Sequence, residues 1–118
     1  MDKGYIAPAT IVNGKVLVNH IIIFVDDRLC NISPFNGEVA NTAYKDGVII
    51  VADNAMLSYI SELELVAGRY LSEDIIAMAN GLCDYILDSG CVEFNKKIGV
   101  AHRLLYVNME DGRVDILQ

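Results

Sequence analysis

The sequence predicts one small α+β domain spanning residues 1–118, in which N- and C-terminal strands form an antiparallel sheet or sandwich and two helices are inserted between them. Three observations predict it. Short apolar runs alternate with turn dipeptides up to residue 51, the period changes to about 3.6 between residues 54 and 89, and strand-like runs return from about residue 100.

The N-terminal strands fall within 5–51. Tyr5 to Val12 and Lys15 to Val18 flank Asn13-Gly14, a dipeptide that readily takes the positive φ angles of a tight hairpin turn. Ile21 to Val25 and Arg28 to Ile32 flank Asp26-Asp27, and Pro34 stops the ladder because it has no N–H to donate. Asn36-Gly37 marks another turn. Asp46-Gly47 introduces Val48 to Val51, a run apolar on both faces and therefore a buried strand. The expectation up to residue 51 is antiparallel β.

The first helix is expected over about 54–67, capped by Asp53 or Asn54, with Met56, Leu57, Ile60, Leu63 and Ala67 on one face and Gly68 at its end. The second is expected over about 73–89. Ser72 can cap it, Glu73 and Asp74 suit its positive end, and Ile75, Met78, Ala79, Leu82, Cys83 and Ile86 form its stripe, with Gly90 as the stop. Strands over 100–117 follow, with Arg103 to Asn108 and Arg113 to Leu117 joined through Glu110-Asp111-Gly112. One of them should pair with the N-terminal sheet, since an isolated hairpin is marginal in water.

A formal charge of −7 opposes phosphate backbones and anionic headgroups, so nucleic acid and membrane surfaces are poor partners. The longest apolar runs, Ile21 to Val25 among them, are far short of the roughly 20 residues that span a bilayer. With no charged-then-apolar leader, the expectation is a soluble, cytoplasmic protein. Cys30, Cys83 and Cys91 are odd in number and lack C-x-x-C spacing, which suits a reducing compartment and small buried side chains.

The run YIAPATIVNGKVLVNHIIIFVDDRLCNISPFNGEVANTAYKDGVIIV resembles the N-terminal strands of amidohydrolase-superfamily enzymes. IIAMANGLCDYIL resembles the last helix of that family, and IGVAHRLLYVN followed by DGRVDIL its returning strands. The resemblance covers about two thirds of the chain. It implies a composite β domain of N- and C-terminal strands, which in the family lies beside a catalytic (β/α) barrel. In the family, the strand matching Val48 to Val51 leads through Pro-Gly into a metal-binding His-x-His pair. Here Ala52, Asp53, Asn54, Ala55, Met56, Leu57, Ser58, Tyr59 and Ile60 follow, and the few hundred or so residues of a barrel are absent. No metal site carries over.

Nor do the residues themselves offer one. A zinc or iron site needs about three or four converging ligands, and the only imidazoles are His20 and His102. Neither has a partner ligand at chelating spacing, and both read as strand-end residues. Cys91 with His102 is the one nucleophile and base pair to name, with nothing local to fix its geometry. Asp26-Asp27, Glu62 and Glu64, Glu73-Asp74 and Glu110-Asp111 match turns, a solvated helix face and a helix N-terminus. The six tyrosines, Tyr5, Tyr44, Tyr59, Tyr70, Tyr85 and Tyr106, read as half-buried packing residues.

No catalytic residue, metal ligand or cofactor is therefore expected. The leading expectation is a non-catalytic interaction or self-association module, most simply a homodimer or a complex with another protein, because a composite-type domain without its barrel must cover an apolar flank. The alternative is a small-molecule-binding module with a ligand pocket between helices and sheet lined by Met56, Tyr59 and Met78. A third is a barrel-less remnant serving as a subunit of a hydrolase.

Overall fold

Turn chemistry sets the N-terminal half. A computed structural model describes residues 2–12, 14–25, 28–35, 42–89 and 103–117. Strand β1 (Asp2–Val12) pairs antiparallel with β2 (Lys15–Val25), and Val12 lies opposite Lys15, with Gly14 just before β2 at φ 69°. Strand β3 (Arg28–Pro34) pairs antiparallel with β2 and ends at its proline. Between the pairs Ile23–Asn31 and Phe24–Leu29 one residue, Cys30, has no partner, so a β-bulge interrupts this strand. The two runs expected as separate strands, Lys15 to Val18 and Ile21 to Val25, are one. Asn19 carries the chain between them at φ 54°, a left-handed conformation that Asn tolerates better than most residues.

The expectation of a purely antiparallel sheet is corrected by the next two strands. Strands β4 (Thr42–Tyr44) and β5 (Gly47–Ala52) both lie parallel to β1 along one edge, β4 beside Gly4 to Ile6 and β5 beside Ala9 to Ile11. The turn signals that betray hairpins are silent about parallel pairing, which joins strands distant along the chain. Strand β6 (Arg103–Asn108) then pairs antiparallel with β5, and β7 (Val114–Ile116) with β6. The result is a mixed seven-stranded sheet in the order β3-β2-β1-β5-β6-β7, with β4 also on β1. Every residue of β5 is buried, as its unbroken apolar run requires.

A crease crosses this sheet. Pro8 in β1 has no N–H for either neighbour, and each neighbour is irregular at its level. Asn19, opposite it in β2, is left-handed, while on the other side β4 stops at Tyr44 and β5 starts at Gly47. The Phe35 N–H donates to the Asn19 carbonyl at 2.9 Å just as β3 ends. On a flat strand Ala7 and Ala9 would share one face. Instead Ala9 and Ile11 join the core beneath the helices, whereas Ala7 and Tyr5 join a second core. The half of the hairpin beyond the crease supplies Ile22, Phe24 and Leu29 to that second core, which also takes Ile49, Val51 and Leu104 from β5 and β6.

The helical layer covers the other face. The helix expected over 54–67 is divided into a 3₁₀ segment, Asn54–Tyr59, and helix α1 (Ile60–Gly68). The Asp53 carboxylate caps the former by accepting from the Met56 N–H at 3.1 Å, and the Ser58 hydroxyl competes for the Ala55 carbonyl at 2.8 Å. Helix α2 (Ile75–Asp88) starts later than the expected residue 73. Its cap is Asp74, whose carboxylate accepts from the Ala77 N–H at 2.8 Å, and not Ser72, which lies in the turn closed by the Glu73 N–H on the Tyr70 carbonyl. Met56, Leu63, Val66 and Ala67, with Met78, Ala79, Leu82, Cys83 and Ile86, pack on Ala9, Ile11, Val48, Ile50, Leu105 and Val107. The expected turns at Asp26-Asp27 and Asn36-Gly37, the stop at Gly90 and strand residues 100–102 lie outside the described residues.

Candidate functional site

Polar side chains with chemical capability occupy structural posts. His20 is inside β2, and its Nδ1 donates to the Val18 carbonyl at 2.9 Å across the left-handed Asn19. The Cys83 thiol is buried in the helix-facing core, and burial, then the nearby Asp84 carboxylate, push its pKa up, away from the thiolate a nucleophile needs. Cys30 is exposed at the bulge, which corrects its expected burial. Cys91 and His102 lie outside the described residues. Among the described residues no three His, Cys, Asp or Glu side chains gather as metal ligands would.

Carboxylates serve the backbone as well. Glu62 is solvated as expected, but Glu64 turns toward the sheet and accepts from the Val114 N–H at 3.0 Å. In the β6–β7 ladder Val114 belongs to the non-hydrogen-bonded pair with Val107, so this N–H points to the open edge of β7, and Glu64 closes it. Asp111 and Asn108 shape the β6–β7 turn by accepting from the Arg113 and Glu110 N–H groups. The Tyr106 hydroxyl donates to the Asp46 carbonyl at 2.9 Å beneath Lys45, whose ammonium lies 5.8 Å from the ring centroid. Burial and then the carboxylates of Asp46, Asp111, Glu110 and Asp115 raise its pKa.

The three pocket residues are not equivalent. Met56 and Met78 are both almost fully buried in the helix-facing core as packing residues, while Tyr59 is half-buried at the end of the 3₁₀ segment. Tyr5 is buried, Tyr70, Tyr85 and Tyr106 are half-buried, and Tyr44 departs from the expectation at 65% exposure. One buried hydroxyl was invisible in the sequence. Thr10 Oγ1, at the level of Ile49, has no hydrogen-bond partner among the described residues.

The feature that packing leaves unexplained is the outer face of the helical layer. Ser61, Glu62, Leu65, Gly68 and Arg69 form the solvent stripe of α1, and Asn80, Asp84, Leu87 and Asp88 that of α2. Binary patterning calls for polar residues there, yet Leu65 is 69% exposed and Leu87 49%, the latter with its tip over the hairpin turn at Gly14. Leu71, between the helices, is exposed too. Charge is concentrated on the same layer. Residues 53–89 hold Asp53, Glu62, Glu64, Glu73, Asp74, Asp84 and Asp88 against Arg69 alone, seven carboxylates to one guanidinium and a formal −6 of the chain's −7. The leucines were legible as breaks in the helical pattern, the charge as a count by segment.

Comparison with known proteins gives no matching family model and no matching curated protein. Among the described residues no helix is long and apolar enough to cross a membrane.

Proposed function

We propose that this chain is a non-catalytic interaction module that docks the outer face of its helical layer on another polypeptide, whether a second copy or a different protein. The observation that carries the reading is Leu65, whose side chain stands in solvent on the face of α1 turned away from Leu63, Val66 and Ala67. An exposed leucine alone is ordinary. Here it shares a layer with Leu71, Leu87 and nearly all of the net charge.

The sheet edges support docking through side chains and not through strand addition. The bulge at Cys30 and Pro34 blunt β3, while Glu64 closes part of the edge of three-residue β7. The pairing of β5 with β6 supports the resemblance to an amidohydrolase composite domain, since it joins N- and C-terminal strands in one sheet. On that resemblance the docking partner is a hydrolase barrel, and the chain is its non-catalytic subunit.

Zero-length carboxylate-to-amine crosslinking of the chain in extract of its source cell, mapped by mass spectrometry, tests the reading. Crosslinks from Glu62, Asp84 and Asp88 are expected. Crosslinks confined to the sheet contradict the assigned surface. Turnover of ester, amide or phosphate substrates by the purified chain, abolished by Cys83→Ala or His102→Ala, contradicts the non-catalytic assignment.

A further inference from the structure

We infer that the occupant of the helical face is a basic segment of a partner protein, studded with apolar side chains, an inference that rests on the interaction reading above and names the partner's chemistry. Three observations converge on it. The first is segregation: the helical layer holds a formal −6, while the remainder of the chain is close to neutral. A surface of one sign attracts and orients a partner of the other.

The second is a local conflict in α2. The C-terminal end of a helix is the negative end of its dipole and favours cations. Neither α1 nor α2 has a basic residue in its last turn, and α2 ends with Asp84 and Asp88, carboxylates four residues apart on one face. Both the dipole and their mutual repulsion oppose this arrangement. No ion pair joins Glu62, Glu73, Asp84 or Asp88 to a described residue. Cationic side chains from outside would relieve both conflicts at once.

The third is the repeated placing of leucine beside acid. Glu62 stands three residues before Leu65, and Asp84 three before Leu87, so each helix presents a carboxylate and an exposed apolar side chain on neighbouring turns. A segment carrying both Lys or Arg and apolar residues satisfies both partners. A second copy does not, because joining two such faces sets like charges against each other. Anionic lipid headgroups are repelled for the same reason.

The test uses fluorescence anisotropy with three labelled peptides: a Lys/Leu peptide of helical period, a peptide of equal charge with Ser in place of Leu, and a Glu/Leu peptide. The Lys/Leu peptide should bind at least about tenfold more tightly than the Lys/Ser one, weaken with added salt, and leave the Glu/Leu peptide unbound. Asp84→Lys with Asp88→Lys, and separately Leu65→Ser with Leu87→Ser, should each lower its affinity about tenfold or more. All four positions are on the outward stripes, and thermal melts verify that both variants fold. Equal binding of the Lys/Leu and Lys/Ser peptides overturns the proposal, as does undiminished binding to the lysine variant. Light scattering separates this failure from that of the interaction reading. A dimer dissolved by Leu65→Ser with Leu87→Ser makes a second copy the occupant, which overturns the basic partner and leaves docking through this face standing.

Discussion

The two cores draw on the same strands but are closed by different devices. Beneath the helices, β1, β5 and β6 meet separate elements whose apolar stripes complete the core, and aspartates cap the 3₁₀ segment and α2. On the other face no described helix is involved. The sheet bends at the crease, and Phe24, Ile22, Leu29, Tyr5 and Ala7 pack against Ile49, Val51 and Leu104. The first arrangement is announced by periodicity and caps. The second depends on one proline, one left-handed asparagine and a strand break lying side by side. A sheet bent in this way can cover part of its own surface.

Truncation in each core should give the largest effects. Phe24→Ala, in the second core, is expected to cost about 3–5 kcal/mol, and Leu82→Ala, beneath the helices, about 2–5 kcal/mol. Because β5 contributes to both, the two substitutions should lower a single cooperative transition, followed in denaturant by helix circular dichroism and by strand amide exchange. Two separated transitions would mean that the cores are independent.

Gly47 lies beside the crease, at the start of β5. A Cβ there would meet the Val107 carbonyl oxygen inside its contact distance and the Tyr106 ring at 2.6 Å. Gly47→Ala should therefore cost about 1–3 kcal/mol and disturb amides of β5 and β6 before those of α2. At Asn19, where the left-handed backbone is required, Asn19→Val should cost about 1–2 kcal/mol while Asn19→Gly is neutral or stabilising. Equal effects of the two would mean that the crease does not need this backbone.

Thr10→Val should act in the opposite direction. It keeps the shape and removes a buried hydroxyl with no partner among the described residues, so a gain of about 1 kcal/mol is expected in denaturant unfolding. A loss of stability would mean that the hydroxyl has an acceptor in solution.

Much of the fold was legible because its signals are local. Gly14, Gly47 and Gly112 marked the starts or turns of strands, and the 3.6 period placed Met78, Leu82 and Ile86 in the core. Parallel pairing of β1 was not legible, since it joins residues about forty apart through no signature of its own. Pro8 alone does not announce the bend, which needs irregularities in β2 and between β4 and β5 as well. Met56 and Met78 were placed on the correct inner face, where both serve as packing. Leu65 lies off the apolar stripe that faces the sheet, and the acids of the outer face stand in separate motifs that only the layer brings together.

On the docking reading, the acidic, leucine-bearing face of the helices is kept at a cost to the fold. Denaturant unfolding of Asp84→Lys with Asp88→Lys tests it most directly. Replacing two repelling carboxylates at the negative end of α2 by cations should raise stability by about 1 kcal/mol at low salt, with the gain shrinking as salt is added. An unchanged or lowered stability would contradict the claim, for it would mean that the carboxylates stabilise the isolated chain and need no partner to explain them.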